Sequence, residues 1–411
     1  MKRRYFAAIL LIALMTALFA GCDMSAASRA KKRVAAIPVA QNNLVLYGDK
    51  RVTVGQTDYS LPGLAKKLIK GRKPDLYQNT TYYGQRSALY TVVYDRNNSG
   101  RETKGCSLAL FRFDYSTRKA KMLRDMQGTF PVRSYYMASP SVLQYFDEEG
   151  GRCTLVRNGA LEIVSTETGK TVFSRQIFGA RDYFSEESDP FAMRGADMVW
   201  AFYADTVYYY RYAGDTYEEF AFTDEAFKEL RAGQFGTIDG ALYARKNGKT
   251  VFAADIETKN PRDLEEIDAL YEAERVENEL LGEQGTPVEQ GGSTYRVKRV
   301  QDKEAGEIIA VTSDMGASFS VDAAYIGEHS AEMQKIEQIY AEEFPNRTLQ
   351  FNVDFTVSEN RLFLAVDAEI QGYGLVSLYT PLFVFELDLA EDKILYCGMH
   401  GGERLGGVRF L

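Results

Sequence analysis

From Leu108 to Leu123 the chain reads LALFRFDYSTRKAKML, with apolar positions alternating through Phe113, a polar turn from Asp114 to Lys119, and a second short apolar run. Alternation at period two, interrupted by such a turn, predicts a hairpin with one buried face. Related copies stand at Leu161 to Phe173 (LEIVSTETGKTVF) and Leu382 to Tyr396 (LFVFELDLAEDKILY). Their turns align as Asp114 to Lys119, Ser165 to Lys170 and Asp388 to Lys393. A shorter copy, Gly240 to Phe252 (GALYARKNGKTVF), shares both ends with Gly159 to Phe173. One hairpin alone buries only part of its apolar face, so a recurring hairpin implies neighbours stacked into a common core.

The remaining pattern supplies further strands and a few helices. Asn43 to Gly55 reads as another hairpin, and Arg86 to Asp95 as a strand. Short helices are expected over Ser60 to Lys70 and Thr223 to Leu230. A longer one is expected from Asn260 to Leu281, where Leu264, Ile267, Leu270, Tyr271 and Leu280 recur at helical spacing opposite an acidic face. Ser330 to Phe344 carries the same spacing at Met333, Ile336, Ile339 and Tyr340. The last strand, Gly407 to Leu411, is expected to pair near the N-terminus. Hairpins begin near Leu110, Leu161, Val207, Leu242 and Leu382, mostly about 40–50 residues apart, the length of one propeller blade. The expected fold is therefore all-β: a β-propeller of six to eight four-stranded blades, seven the central expectation, with helical insertions near 260–282 and 329–344. A pair of twisted β-sandwiches is the second architecture.

Residues 1–21 form a targeting segment: Lys2, Arg3 and Arg4, an apolar run from Tyr5 to Phe19, then Ala20, Gly21 and Cys22. This resembles a bacterial lipoprotein signal, which implies a lipidated Cys22 as first residue and a membrane anchor on the extracytoplasmic face. Asp23 to Gln41 reads as a flexible tether, leaving residues 43–411 as the folded domain. The chain carries 49 basic and 57 acidic residues, net −8, and loss of the targeting segment takes the mature chain to −11. That balance excludes an extensive nucleic-acid surface. Cys106, Cys153 and Cys397 remain, an odd number, and Cys106 with Cys153 is one conceivable pair.

Ile308 to Val321 reads IIAVTSDMGASFSV. Thr312, Asp314, Gly316 and Phe319 resemble the Asp-box of sialidase-type propellers, a structural turn between the outer two strands of a blade. The resemblance implies an Asp accepting backbone N–H groups of its own turn, a Gly at positive φ and an aromatic at the corner. Other repeat propellers fit the spacing equally. Sialidase chemistry would also need an arginine cluster and a Tyr–Glu pair, and Pro131-Val132-Arg133 does not supply the arginine signature. A carbohydrate-active site needs paired carboxylates. Asp367 and Glu369 lie two apart on an apolar strand, and Asp182, Glu186 and Asp189 crowd one loop. Asp95 to Gly100 lacks the acidic twelfth position of a calcium loop, where Cys106 stands. The two histidines, His329 and His400, form no triad or zinc pattern, so neither metal nor cofactor is expected. These features point to a lipid-anchored binding or scaffold module for a protein or glycan partner. The competing expectation is a glycoside hydrolase using Asp367 and Glu369.

Overall fold

The computed structural model describes residues 25–69, 72, 74–75, 80–94, 98–99, 102–103, 106–130, 143–157, 160–176, 191–194, 197–200, 205–213, 216–302, 306–371 and 380–411. Residues 1–21, Cys22, the Asp182 to Asp189 loop and Arg133 lie outside them, as do Asp95 and Asn97 of the calcium-like loop. Among the described residues, seven antiparallel sheets of three or more strands succeed one another along the chain. Sheets I, III, IV, VI and VII have four strands, sheet II five and sheet V three. In all but sheet I, strands consecutive in sequence are neighbours in space, apart from short edge pairings in sheet II. This is the all-β, propeller-like architecture that the hairpin repeat predicts.

The chain divides into two compact units. The first comprises Met1–Leu61 with Leu281–Leu411, and the second Pro62–Leu280. In the first, sheet I is built from Leu44–Gly48, Arg51–Val54 and Thr57–Ser60, with Gly407–Phe410 as its fourth strand. Leu44 stands opposite Phe410 and Leu46 opposite Val408, the terminal pairing expected of the last strand. Sheet VI runs from Thr286 to Val321 and sheet VII from Thr348 to His400. Their facing apolar positions, among them Val297, Val311, Leu364 and Phe385, form one core. Helices α4 (Ala323–His329) and α5 (Ala331–Glu343) close it with Ile326, Met333, Ile336 and Tyr340. Ser330 caps α5 by accepting the Met333 N–H.

One expectation fails in this unit. Residues 25–34 are a helix, α1, where a flexible tether was expected. Ala26, Ala30 and Val34 recur every four residues and are buried, with Ile37, in the same core as α5. Arg29 pairs with Glu343 at 2.7 Å, and Arg33 with Glu342 and Glu343 at 2.5 and 3.1 Å. The small apolar residues let the helix sit close, and the arginines fix its outer face.

The second unit holds α2 (Leu61–Leu68, starting at the unit boundary) and sheets II to V. Sheet II centres on Ser87–Tyr94, Cys106–Asp114 and Lys119–Phe130, and sheet III runs from Leu143 to Gln176. Sheet IV spans Phe191 to Thr223. Sheet V comprises Phe235–Ile238, Ala241–Lys246 and Lys249–Asp255. Cys153 lies in a core with Leu143, Leu155 and Val164, and it is a free thiol, as is buried Cys397. The conceivable Cys106–Cys153 bridge is therefore not formed, and Cys153 acts as a small core hydrophobe.

The repeated turn has one geometry throughout. Asp114 accepts the Thr117 N–H at 2.7 Å, Asp388 the N–H groups of Ala390 and Glu391, and Ser165 that of Thr168. Four residues after each of these, Arg118, Asp392 and Gly169 take positive φ of 56°, 49° and 73°. A fourth instance is Asp255, which accepts from Thr258 and is followed by Lys259 at φ 59°. Gly240 to Phe252, aligned by sequence with this hairpin, instead joins the second and third strands of sheet V. The position of a fourth strand there shrinks to a single bridge between Ala254 and Pro261, because proline cannot donate to a ladder.

Candidate functional site

The chain after Pro261 turns into α3, Leu264–Gln284, which lies on one face of sheet V. Asp263 caps it, accepting the Glu265 and Glu266 N–H groups at 2.8 and 3.1 Å. Its first half is anchored. Ile267 is buried against Ala241 and Ala253, and Leu270 and Tyr243 pack beside them. Asp268 accepts both the N–H and hydroxyl of Thr250, at 3.0 and 2.6 Å. The hydroxyl bond holds the Asp268 carboxyl below the usual range. The Arg245 guanidinium sits 3.6 Å from the centre of the Tyr271 ring, and Tyr243 meets Tyr271 edge-on.

From Glu272 to Leu280 α3 is exposed, and a groove of about 510 Å³ opens between it and the sheet. Gly236, Thr237 and Tyr243 line one wall, and Tyr271, Glu274, Arg275, Asn278 and Glu279 the other. A Cβ at Gly236 would lie 2.5 Å from the Tyr243 ring, so glycine there leaves the ring its present position. Arg275 is clasped by Glu272 and Glu279, which hold it firmly charged. The groove thus offers two tyrosines, a threonine hydroxyl, an amide, a guanidinium and carboxylates, groups that bind and orient a ligand. The sequence reading found the acidic helix but not this groove, since its other wall comes from a different element.

Asp367 and Glu369 share one face of sheet VII, opposite Asn352 and Gln350. Asp367 is half-buried and accepts from the Asn352 amide at 3.3 Å. Burial pushes its carboxyl upward, the Asn352 bond opposes this, and the charges of Glu369 and Asp354 reinforce it. Glu369 is exposed. The two acids stand side by side along one strand.

Of the predicted Asp-box residues, Thr312 and Phe319 lie on the last two strands of sheet VI, Gly306–Ser313 and Ser318–Val321, and Asp314 and Gly316 lie in the turn between them. Gly316 has φ 85°. Ser313, and not Asp314, serves the turn, accepting the Ala317 N–H at 3.2 Å. Asp314 reaches across to the Thr294 N–H at 3.1 Å, joining the turn to the sheet's second strand. Thr312 stands opposite Ser318, and Phe319 stacks on Tyr325, which stacks on His329.

His400, set aside on sequence, is fully buried in the first unit. Its Nδ1 lies 3.1 Å from Thr53 Oγ1, which is 3.2 Å from Asp58, itself paired with Arg51. Thr53 has one proton and Asp58 only accepts, so His400 donates from Nδ1. Among the described residues, no three His, Cys, Asp or Glu side chains group as metal ligands.

Fold and groove together define a propeller-like protein with a helical insertion beside one sheet. No protein-family model matches the chain, and no curated protein matches it. Among solved structures it is similar to BamB from Moraxella catarrhalis, at 9% identity over 77% of this chain and 95% of that one, TM-score 0.25. It is also similar to the AfRom2 CNH domain, at 10% identity over 80% and 94%, TM-score 0.26. The computationally designed Ika8 protein matches at 11% identity over 79% and 87%, TM-score 0.22. The fold assignment stands on this chain's own sheet topology.

Proposed function

We propose that this chain is a binding or scaffold module, held by a lipid on Cys22 at the outer face of the cell membrane, that presents its sheets and insertion helix to a protein or glycan partner. The groove between sheet V and α3 carries the reading, because its tyrosines, amide and carboxylates are suited to holding and orienting a ligand. The lipoprotein-like segment ending at Cys22 supports the location. Crosslinking in intact cells, followed by capture of the chain, tests the binding role. A partner enriched with the natural sequence and lost with Tyr271→Ala supports it, and no enrichment above background overturns it. Labelling with an alkyne fatty acid tests the anchor: label and membrane fractionation should both vanish in Cys22→Ser.

One observation favours a second reading, a carbohydrate-active enzyme. Asp367 is a carboxyl that burial biases towards its protonated form, the property of a general acid. Turnover of chromogenic glycosides, lost in Asp367→Asn and Glu369→Gln, would establish it. Turnover indifferent to both changes would remove these residues from consideration.

A further inference from the structure

The sheet-facing side of α3 is occupied by Ile267, Leu270 and Tyr271. Its opposite side is not plain solvated surface. Ala269, Ala273, Val276 and Leu280 recur at spacings of four, three and four, which at about 100° per residue puts them on one line. All four are exposed, Val276 at 49% and Leu280 at 51%. Such spacing is that of a coiled-coil seam, and here it runs about three turns, exposed and with no partner among the described residues. Glu266 and Glu277 border the line on one side, Glu265 and Glu272 on the other. The helix carries seven glutamates and Asp268 against Arg275 alone, and Arg275 lies on the groove side.

We infer that this outward face of α3, from Ala269 to Leu280, docks a basic amphipathic helix of a partner protein. The seam provides apolar knobs, and the bordering carboxylates select lysine or arginine at the partner's flanking positions. A second copy of this chain would set glutamates against glutamates, and an anionic lipid surface would meet the same repulsion. The inference rests on the binding-module reading but uses the face turned away from the groove.

The test uses the full chain in detergent and fluorescent synthetic peptides of about three heptads. One has leucine seams and lysine flanks, one has glutamate flanks, and one has the lysine composition scrambled to destroy the seam. The first should bind about tenfold more tightly than either control, and its affinity should fall as salt rises. Val276→Glu with Leu280→Glu should weaken it about tenfold while circular dichroism and melting temperature stay unchanged, both residues being exposed. No binding, equal binding of the scrambled peptide, or binding that survives the double variant overturns the inference. So does a concentration-dependent dimer abolished by Leu280→Glu, which would assign the seam to a second copy. Failure here leaves capture through Tyr271 unaffected, so it is distinguishable from failure of the binding-module reading.

Discussion

His400 is held neutral by its surroundings. Burial depresses its pKa to about 4, against the opposing pull of Asp58 and Asp49, with Arg51 adding to the depression. Below about pH 6.5 the unfolded chain takes up a proton on this residue that the folded chain does not. Stability must therefore fall as pH drops from about 6.5 to about 4, by on the order of 3 kcal/mol, and level off below. Chemical denaturation of the natural chain and His400→Gln across that range isolates the contribution. The natural chain should lose more stability than the variant, and parallel pH profiles would assign the acid sensitivity to the carboxylates instead. Nothing in the sequence distinguished His400 from a surface histidine. Its role depends on Thr53 and Asp58, which are more than 340 residues away in sequence and adjacent only after the last strands meet sheet I.

The turn repeat was the most legible feature of the chain, because its determinants are local. An Asp or Ser that accepts the N–H three residues on, with positive φ one residue later, can be read from about six consecutive letters. Asp255 escaped because the neighbouring Asn247-Gly248 is a stronger short-range hairpin signal, and because Pro261 truncates the strand that would have completed the pattern. Asp114→Ala should cost about 1 kcal/mol in denaturant melts, and Asp114→Asn much less, since the amide oxygen still accepts the Thr117 N–H. Gly169→Ala should cost more than Asp114→Ala. Besides its φ of 73°, a Cβ there would run into the Leu123 carbonyl. An equal or smaller loss would mean that this turn is free to move. Helix α1 was misread for the opposite reason: Ala, Ser and Lys compose linkers and helices alike, and only the every-fourth-residue placing of Ala26, Ala30 and Val34 carried the information. Ala30→Asp should lower stability by roughly 3 kcal/mol, through a buried unpaired charge. Arg29→Ala, at an exposed ion pair, should cost under about 1 kcal/mol.

For the chain as a whole, the docking of α1 changes what a lipid on Cys22 would mean. A flexible segment to Gln41 would let the protein range over many ångströms above a bilayer. Instead the chain is fixed from residue 25 onward by the α1–α5 contact, and Cys22 precedes that point by three residues. Three residues span at most about 10 Å. The first unit is then expected to ride close to the headgroups. A lipid on Cys22 would bring its exposed Lys31 and Lys32 towards an anionic surface, whose pull fades over a Debye length of about 8 Å at physiological salt. A donor dye on Lys31→Cys, in a Cys106→Ser background, would be selective, because burial raises the thiols of Cys153 and Cys397 to about 12. Energy transfer to acceptor lipids should be strong in the natural spacing and should drop when a Gly/Ser linker of about 20 residues is inserted between Cys22 and Ser25. Transfer that does not change with the linker would show that α1 is released from α5 at the membrane.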